Sequence, residues 1–174
     1  MVLSELLGNT RDVRRSPTTR IFQQLILGSE TFTRVYGLQA EIQSGSYLQA
    51  MDRPLLTPVS RDFLRGGMRE ERFYCAGLTL RPSLPPVQNK NGNAIYSPET
   101  ELARHFIGLD SMPIIGYGEM NWLAEQLGLE ADSLIKPAPY QALTALASAL
   151  HMELSTAFGW VGDIIYDPSH IDGL

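Results

Sequence analysis

The sequence predicts an α+β domain in which a small, mostly antiparallel sheet over residues about 31–96 packs against C-terminal helices, with an N-terminal arm and helix in front. Three observations carry that expectation. From Thr31 the apolar residues Phe32, Tyr36, Leu38, Ala40 and Ile42 fall on one side of a period of two. The run Arg72–Leu80 is apolar on both faces, as a central strand is. Beyond Pro139, residues Leu143, Leu146, Ala147, Leu150, Leu154 and Phe158 recur at helical spacing. Strands and helices are thus segregated along the chain, which divides into an arm (1–15), one domain (16–166) and a tail (167–174).

Each element has its own local reason. In the arm, Val2, Leu3, Leu6 and Leu7 suit one amphipathic turn, and the polar, Arg-rich stretch 9–16 follows. Ser16-Pro17 reads as an N-cap and first helical residue, starting a helix to Leu27 that buries Ile21, Phe22, Leu25 and Ile26 and stops at Gly28. The period-two strand follows, with Arg34 breaking its apolar face. Ser44-Gly45-Ser46 is a turn, and Tyr47–Met51 returns as its hairpin partner. Pro54 and Pro58 end regular pairing, and Gly66-Gly67 marks a further turn. Pro82, Pro85 and Pro86 exclude both helix interior and central strand after residue 80. Asn91-Gly92 favours a tight turn, with Ala94–Tyr96 as a short strand.

Ser97-Pro98 repeats the helix start, with Glu99 and Glu101 in the first turn, where the helix dipole favours them, and with Gly108 as terminator. Residues 110–118 read as a loop and 119–127 as a helix stopped by Gly128. A long Ala-rich helix runs from near Pro139 past Leu150, and Val161–Tyr166 reads as a last strand.

Length and charge narrow the function. At 174 residues the chain is one ordinary domain and too short for a (β/α)₈ barrel. The net charge of -5 excludes a dedicated basic nucleic-acid coat, but it hides an uneven distribution. Residues 1–81 hold 11 Arg and no Lys against 8 acids, a net of +3; residues 82–174 hold Arg104, Lys90 and Lys136 against 11 acids, a net of -8. Arginine forms planar, bidentate contacts and suits interfaces. An opposite-sign split suits head-to-tail assembly, in which the front of one copy meets the rear of another. The Arg11, Arg14, Arg15 and Arg20 cluster is the expected partner-binding site, and a protein or a second copy is the expected partner ahead of nucleic acid.

Several groups have to be weighed as chemistry. Cys75 lies in an apolar run and reads as a small buried hydrophobe without a disulfide partner. Asp163, Asp167, His170 and Asp172 match no standard metal loop, so no metal and no cofactor are expected. Glu101 and His105 are helix neighbours at i and i+4 and read as a surface pair, without the second histidine of a zinc-protease helix. Gly66-Gly67 and Gly116-Tyr117-Gly118 lack the Gly-Lys-Ser/Thr ending of a phosphate loop and read as turns. No catalytic residue is assigned.

The stretch Leu123-Ala124-Glu125-Gln126-Leu127-Gly128-Leu129, followed by Glu130–Leu134, resembles the first helix and turn of a helix-turn-helix, and the helices after it loosely resemble those of phage-repressor-type domains. That resemblance implies DNA binding. The recognition helix it would need, Glu130–Ile135, is short and acidic, and acids facing phosphates repel them.

No run approaches the 18 apolar residues of a membrane span, and the N-terminus is too short and acidic for a signal peptide. The expected place is the cytoplasm, or a virion assembled there. Together these readings predict a non-enzymatic structural or assembly subunit of a larger complex, such as a phage virion or tail component. The alternatives are a small DNA-binding or adaptor regulator and an enzyme or ligand-binding domain built from scattered residues such as His105, Tyr117 and His151.

Overall fold

The computed structural model describes residues 10–87, 94–150 and 153–169. The apolar turn expected at Val2–Leu7, the turn at 89–93, and His151, His170 and Asp172 lie outside those residues. In chain order the elements are α1 (Pro17–Leu27), α2 (Ser29–Tyr36), α3 (Tyr47–Met51), α4 (Pro58–Arg69), β1 (Gly77–Leu78), α5 (Glu99–Ile107), β2 (Ile114–Ile115), α6 (Tyr117–Leu127), a 3₁₀ turn (Ala131–Ser133), α7 (Tyr140–Ala149) and α8 (Leu154–Tyr166). The expected antiparallel sheet is overturned. Among the described residues the strands are one parallel pair, Gly77 opposite Ile114 and Leu78 opposite Ile115, and the chain is mainly helical.

The strand predicted from Thr31 divides into two structures. Phe32 and Tyr36 are four residues apart, a spacing that suits one face of a helix as well as one face of a strand. They form the buried side of α2, their rings 5.1 Å apart, and Arg34 is simply on its exposed side. Gly37, in the left-handed region at φ 64, ends this helix. Beyond it, residues 38–43 do alternate in burial, but side chains take the place of a neighbouring strand. Gln24 Oε1 accepts the Glu41 and Ile42 N–H groups at 2.7 and 2.9 Å, and Ser29 Oγ donates to the Ile42 carbonyl.

That strap explains α1. Ser16 caps it through the Thr19 N–H, as the Ser-Pro start predicts. The buried face, however, is Gln23, Gln24 and Leu27, while Phe22 and Leu25 are exposed. Hydrogen bonds to the strap and to α5 outweigh the hydrophobic stripe in orienting the helix.

The other differences from the expected elements share a cause: residues that break helix or strand locally are held inside an element by tertiary partners. Tyr47–Met51 is a short helix capped by Ser46, not a hairpin strand. Thr57-Pro58 opens α4 as Ser16-Pro17 opens α1, the Thr57 hydroxyl accepting the Ser60 N–H. Gly66-Gly67 lies inside α4 because the Phe73 ring covers Gly67; a Cβ there would be 2.1 Å from Phe73 Cζ. Ala94 and Ile95 form a turn, and the helical spacing after Pro139 is shared by two helices, one ending at Ala149 and one beginning at Leu154. The strand predicted at 161–166 is the last part of α8, whose Phe158 and Val161 are buried against α6 residues.

Two apolar clusters result. One gathers Val13, Leu27, Phe32 and Tyr36; the other gathers Ile115, Met120, Leu123, Leu134, Ala145, Phe158 and Val161. Gln141, fully buried on α7, ties the strands to the second cluster by donating to the Thr79 and Ile115 carbonyls.

The irregular segment 81–84 joins everything. The first N–H groups of a helix have no partner within it. Those of α6 find theirs here: Tyr117 N–H donates to the Arg81 carbonyl at 3.0 Å and Gly118 N–H to Ser83 Oγ at 2.8 Å. Ser83 donates in turn to the Glu119 carboxylate, which also accepts the Gly116 N–H. Gly116 and Gly118 are glycines because Ser83 lies on them; a Cβ on Gly118 would be 2.2 Å from the Ser83 carbonyl oxygen. Thr100 N–H donates to the Pro82 carbonyl, and the Glu101 carboxylate accepts the Leu84 N–H, so α5 is fixed to the same segment.

Two outcomes are expected. Ser83→Ala leaves a buried N–H and a buried carboxylate short of a partner and lowers the unfolding free energy by about 1–3 kcal/mol in urea titration; an unchanged midpoint would show that the junction contributes little. Burial pushes the Glu119 carboxyl above its ordinary value of 4.5, the Ser83 bond only partly offsetting it. A carboxyl with a raised folded pKa binds its proton more tightly folded than unfolded, so its charging lowers stability as pH rises from 4.5 through the folded value. The stability of Glu119→Gln relative to the natural chain should therefore climb across that window and level off above it; a pH-independent difference would contradict this.

Candidate functional site

The four N-terminal arginines expected to meet a partner are placed individually. Arg20 donates to the Val13 and Arg14 carbonyls at 3.1 and 2.9 Å and pairs with Glu41 at 3.3 Å, so it fastens residues 13–14 and the strap to α1. Arg14 donates to the Tyr36 carbonyl. Arg11 stacks over the Tyr117 ring, 4.2 Å from its centre, with Asp132 3.8 Å away. Arg15 is exposed, and among the described residues its guanidinium makes no hydrogen bond or ion pair. Three of the four guanidinium groups are thus engaged by this chain itself.

Beside Arg11 opens a cavity of about 530 Å³ between α1 and the start of α5, with Phe22 and Leu80 at its side. Its floor is polar and internally satisfied. Ser97 Oγ donates to Gln23 Oε1 at 2.8 Å, and Gln23 Nε2 donates to the buried Glu99 carboxylate at 3.0 Å. The Tyr36 hydroxyl donates to the Tyr96 carbonyl, and burial holds this phenol far above its usual range. Burial likewise pushes Tyr96 up to about 12, although Asn121 donates to its oxygen. These contacts hold the first apolar cluster against α5.

The most exposed apolar surface lies elsewhere. Tyr47, Met51, Leu55, Val59 and Phe63 recur every four residues, and all are open to solvent: Leu55 is 96% exposed, Val59 79% and Phe63 58%. Of the twelve residues of α4 only Gly67 is buried. Val59 and Phe63 share one face of α4, while Arg61, Arg65 and Arg69 share another. Phe63 rests on Phe73 at 5.4 Å, with the Arg72 guanidinium 5.9 Å from its ring centre. The regular spacing of these apolar residues is visible in the sequence. The prolines at 54 and 58 and the glycine pair obscure it, because each reads locally as a break.

Other predicted groups are dispersed. Glu101 turns to Leu84 and His105 pairs with Asp110 at 3.0 Å, so the expected Glu101–His105 pair is not formed. Cys75 is half-buried, not fully buried. Asp163 is exposed on α8 and Asp167 follows it; no group of three His, Cys, Asp or Glu among the described residues is placed to hold a metal. The segment that would be a recognition helix is the single 3₁₀ turn Ala131–Ser133. Among the described residues no helix is long and apolar enough to cross a membrane. Searches of family models, of curated proteins and of solved structures found no match to this chain.

Proposed function

We propose that this chain is a non-enzymatic assembly subunit whose copies join head to tail, the apolar face of α4 on one copy covering the acidic rear of the next. The observation that carries the reading is α4 itself, a twelve-residue helix with Val59 and Phe63 in water and one buried residue. Single exposed apolar side chains are ordinary, but a run of them around a helix that buries almost nothing marks an interaction surface. Charge argues for the occupant. Arg53, between Met51 and Leu55 in the apolar series, has no ion pair among the described residues. The acidic half of the chain exposes the apolar Leu129, Leu146 and Tyr166 and also Glu125, Glu130 and Asp163, charges of the opposite sign. An interface between unlike faces repeats from copy to copy, as a building unit requires.

Light scattering after size exclusion tests the reading. The natural chain should be heavier than one copy at low salt and shift toward one copy as salt rises, because screening weakens the charged component. Phe63→Glu should stay a single copy at every salt concentration while still unfolding in one cooperative transition. A natural chain that is one copy at all concentrations and salts, or a Phe63→Glu variant that associates equally well, would overturn it.

A further inference from the structure

A second cavity, of about 600 Å³, lies where α4 and α7 approach residues 73–75 and 111–113. Its charged lining is Arg65 and Arg69 from α4 and Arg104 from α5, and among the described residues no Asp or Glu lines it. Three cations gathered around one hollow repel each other unless an anion enters. Arg69 has Glu70 at 3.7 Å, on the exposed side of the helix end. Arg65 has no ion pair among the described residues.

Arg104 presents the clearest deficit. Its Nη1 reaches the Met112 carbonyl only at 3.4 Å, and its Nε is shielded from water without a hydrogen-bond partner among the described residues. A guanidinium cannot shed its proton, so Arg104 stays charged in its half-buried position beside the cavity and favours an anion there. The carboxylates on its own side are engaged otherwise. Glu101 accepts the Leu84 N–H and Asp110 holds His105; both feel the charge of Arg104, but neither forms an ion pair with it. Arg104 lines the cavity, and the second Glu101 oxygen is shielded without a hydrogen-bond partner among the described residues.

The remaining walls describe the ligand's body. Met68 and Phe73 are apolar, while Ser111 adds a hydroxyl. A volume of this size suits a small organic molecule and is far larger than a bare phosphate needs. Guanidinium groups match phosphate oxygens in geometry, and three of them suit a dianion better than a monocarboxylate.

We propose that this cavity is a binding site for a phosphate monoester with a flat apolar body, the phosphate held by Arg104 and Arg65 and the body against Phe73 and Met68. The site adjoins the docking face through Phe73, on which Phe63 rests, but it uses other side chains: Arg65 and Arg69 lie on a different face of α4 from Val59 and Phe63.

Calorimetric titration of the full chain with phenyl phosphate, inorganic phosphate and benzyl alcohol at constant ionic strength tests this. Phenyl phosphate should bind at least tenfold more tightly than inorganic phosphate, and benzyl alcohol should not bind measurably. Arg104→Gln and Arg65→Gln should each weaken phenyl phosphate at least tenfold, and Arg15→Gln should leave it unchanged. Arg65 is exposed, so its variant keeps the test readable should Arg104→Gln fail to fold. No binding of phenyl phosphate, equal binding of inorganic phosphate, or unaltered binding to Arg65→Gln would overturn the assignment.

Discussion

The fold depends on Ser83 lying against the backbone of Gly116-Tyr117-Gly118. Two glycines let the serine approach within the space of a Cβ, and its hydroxyl then accepts the Gly118 N–H and donates to Glu119. One side chain from a distant segment thus does what an N-cap residue usually does from within the same helix. Residues 81, 82 and 84 add bonds to α5 and α6, so an irregular stretch fixes two helices and the two-strand ribbon at once. A segment without secondary structure can hold this position because its polar groups are spent on its neighbours.

Polar side chains play the same organising part throughout. Gln24 pairs with the strap, Gln23 and Ser97 with Glu99, and Gln141 with both strands, and all four are buried. Hydrophobic contact alone would tolerate several ways of turning α1, whereas the two glutamines admit one. The same economy alters the charge distribution. Glu99 and Glu119 are interior residues, so the acidic rear is less negative on its surface than its composition implies. The basic front is likewise partly neutralised at home, by Glu41 on Arg20 and Asp132 near Arg11.

What remains unspent is concentrated on α4. One of its faces presents apolar side chains to water, and the next presents arginines to a cavity without acids. A helix that contributes so little to its own core leaves most of its surface open to contact. The two proposed roles use different side chains and different physics, hydrophobic contact for one and charge-assisted hydrogen bonding for the other.

Where local chemistry decides, the sequence was legible. Ser16-Pro17 starts a helix, Gly108 and Gly128 end helices in the left-handed conformation, and the Leu/Ala spacing after Pro139 is helical. Arginine-rich composition was legible too, but not which arginines stay free, because that depends on whether a carbonyl or carboxylate folds beside each one. Phe32 and Tyr36 satisfy both the strand and the helix period, and only Gln24 and Ser29, from elsewhere in the chain, settle what residues 37–44 become. By itself the sequence determined where helices can begin and end and which residues carry charge. Tertiary structure alone decided which face of α1 is buried, why Gly67, Gly116 and Gly118 lack side chains, and which surface is left over. Those outcomes turn on contacts between segments tens of residues apart, and no local pattern encodes the approach of Ser83 to Gly118.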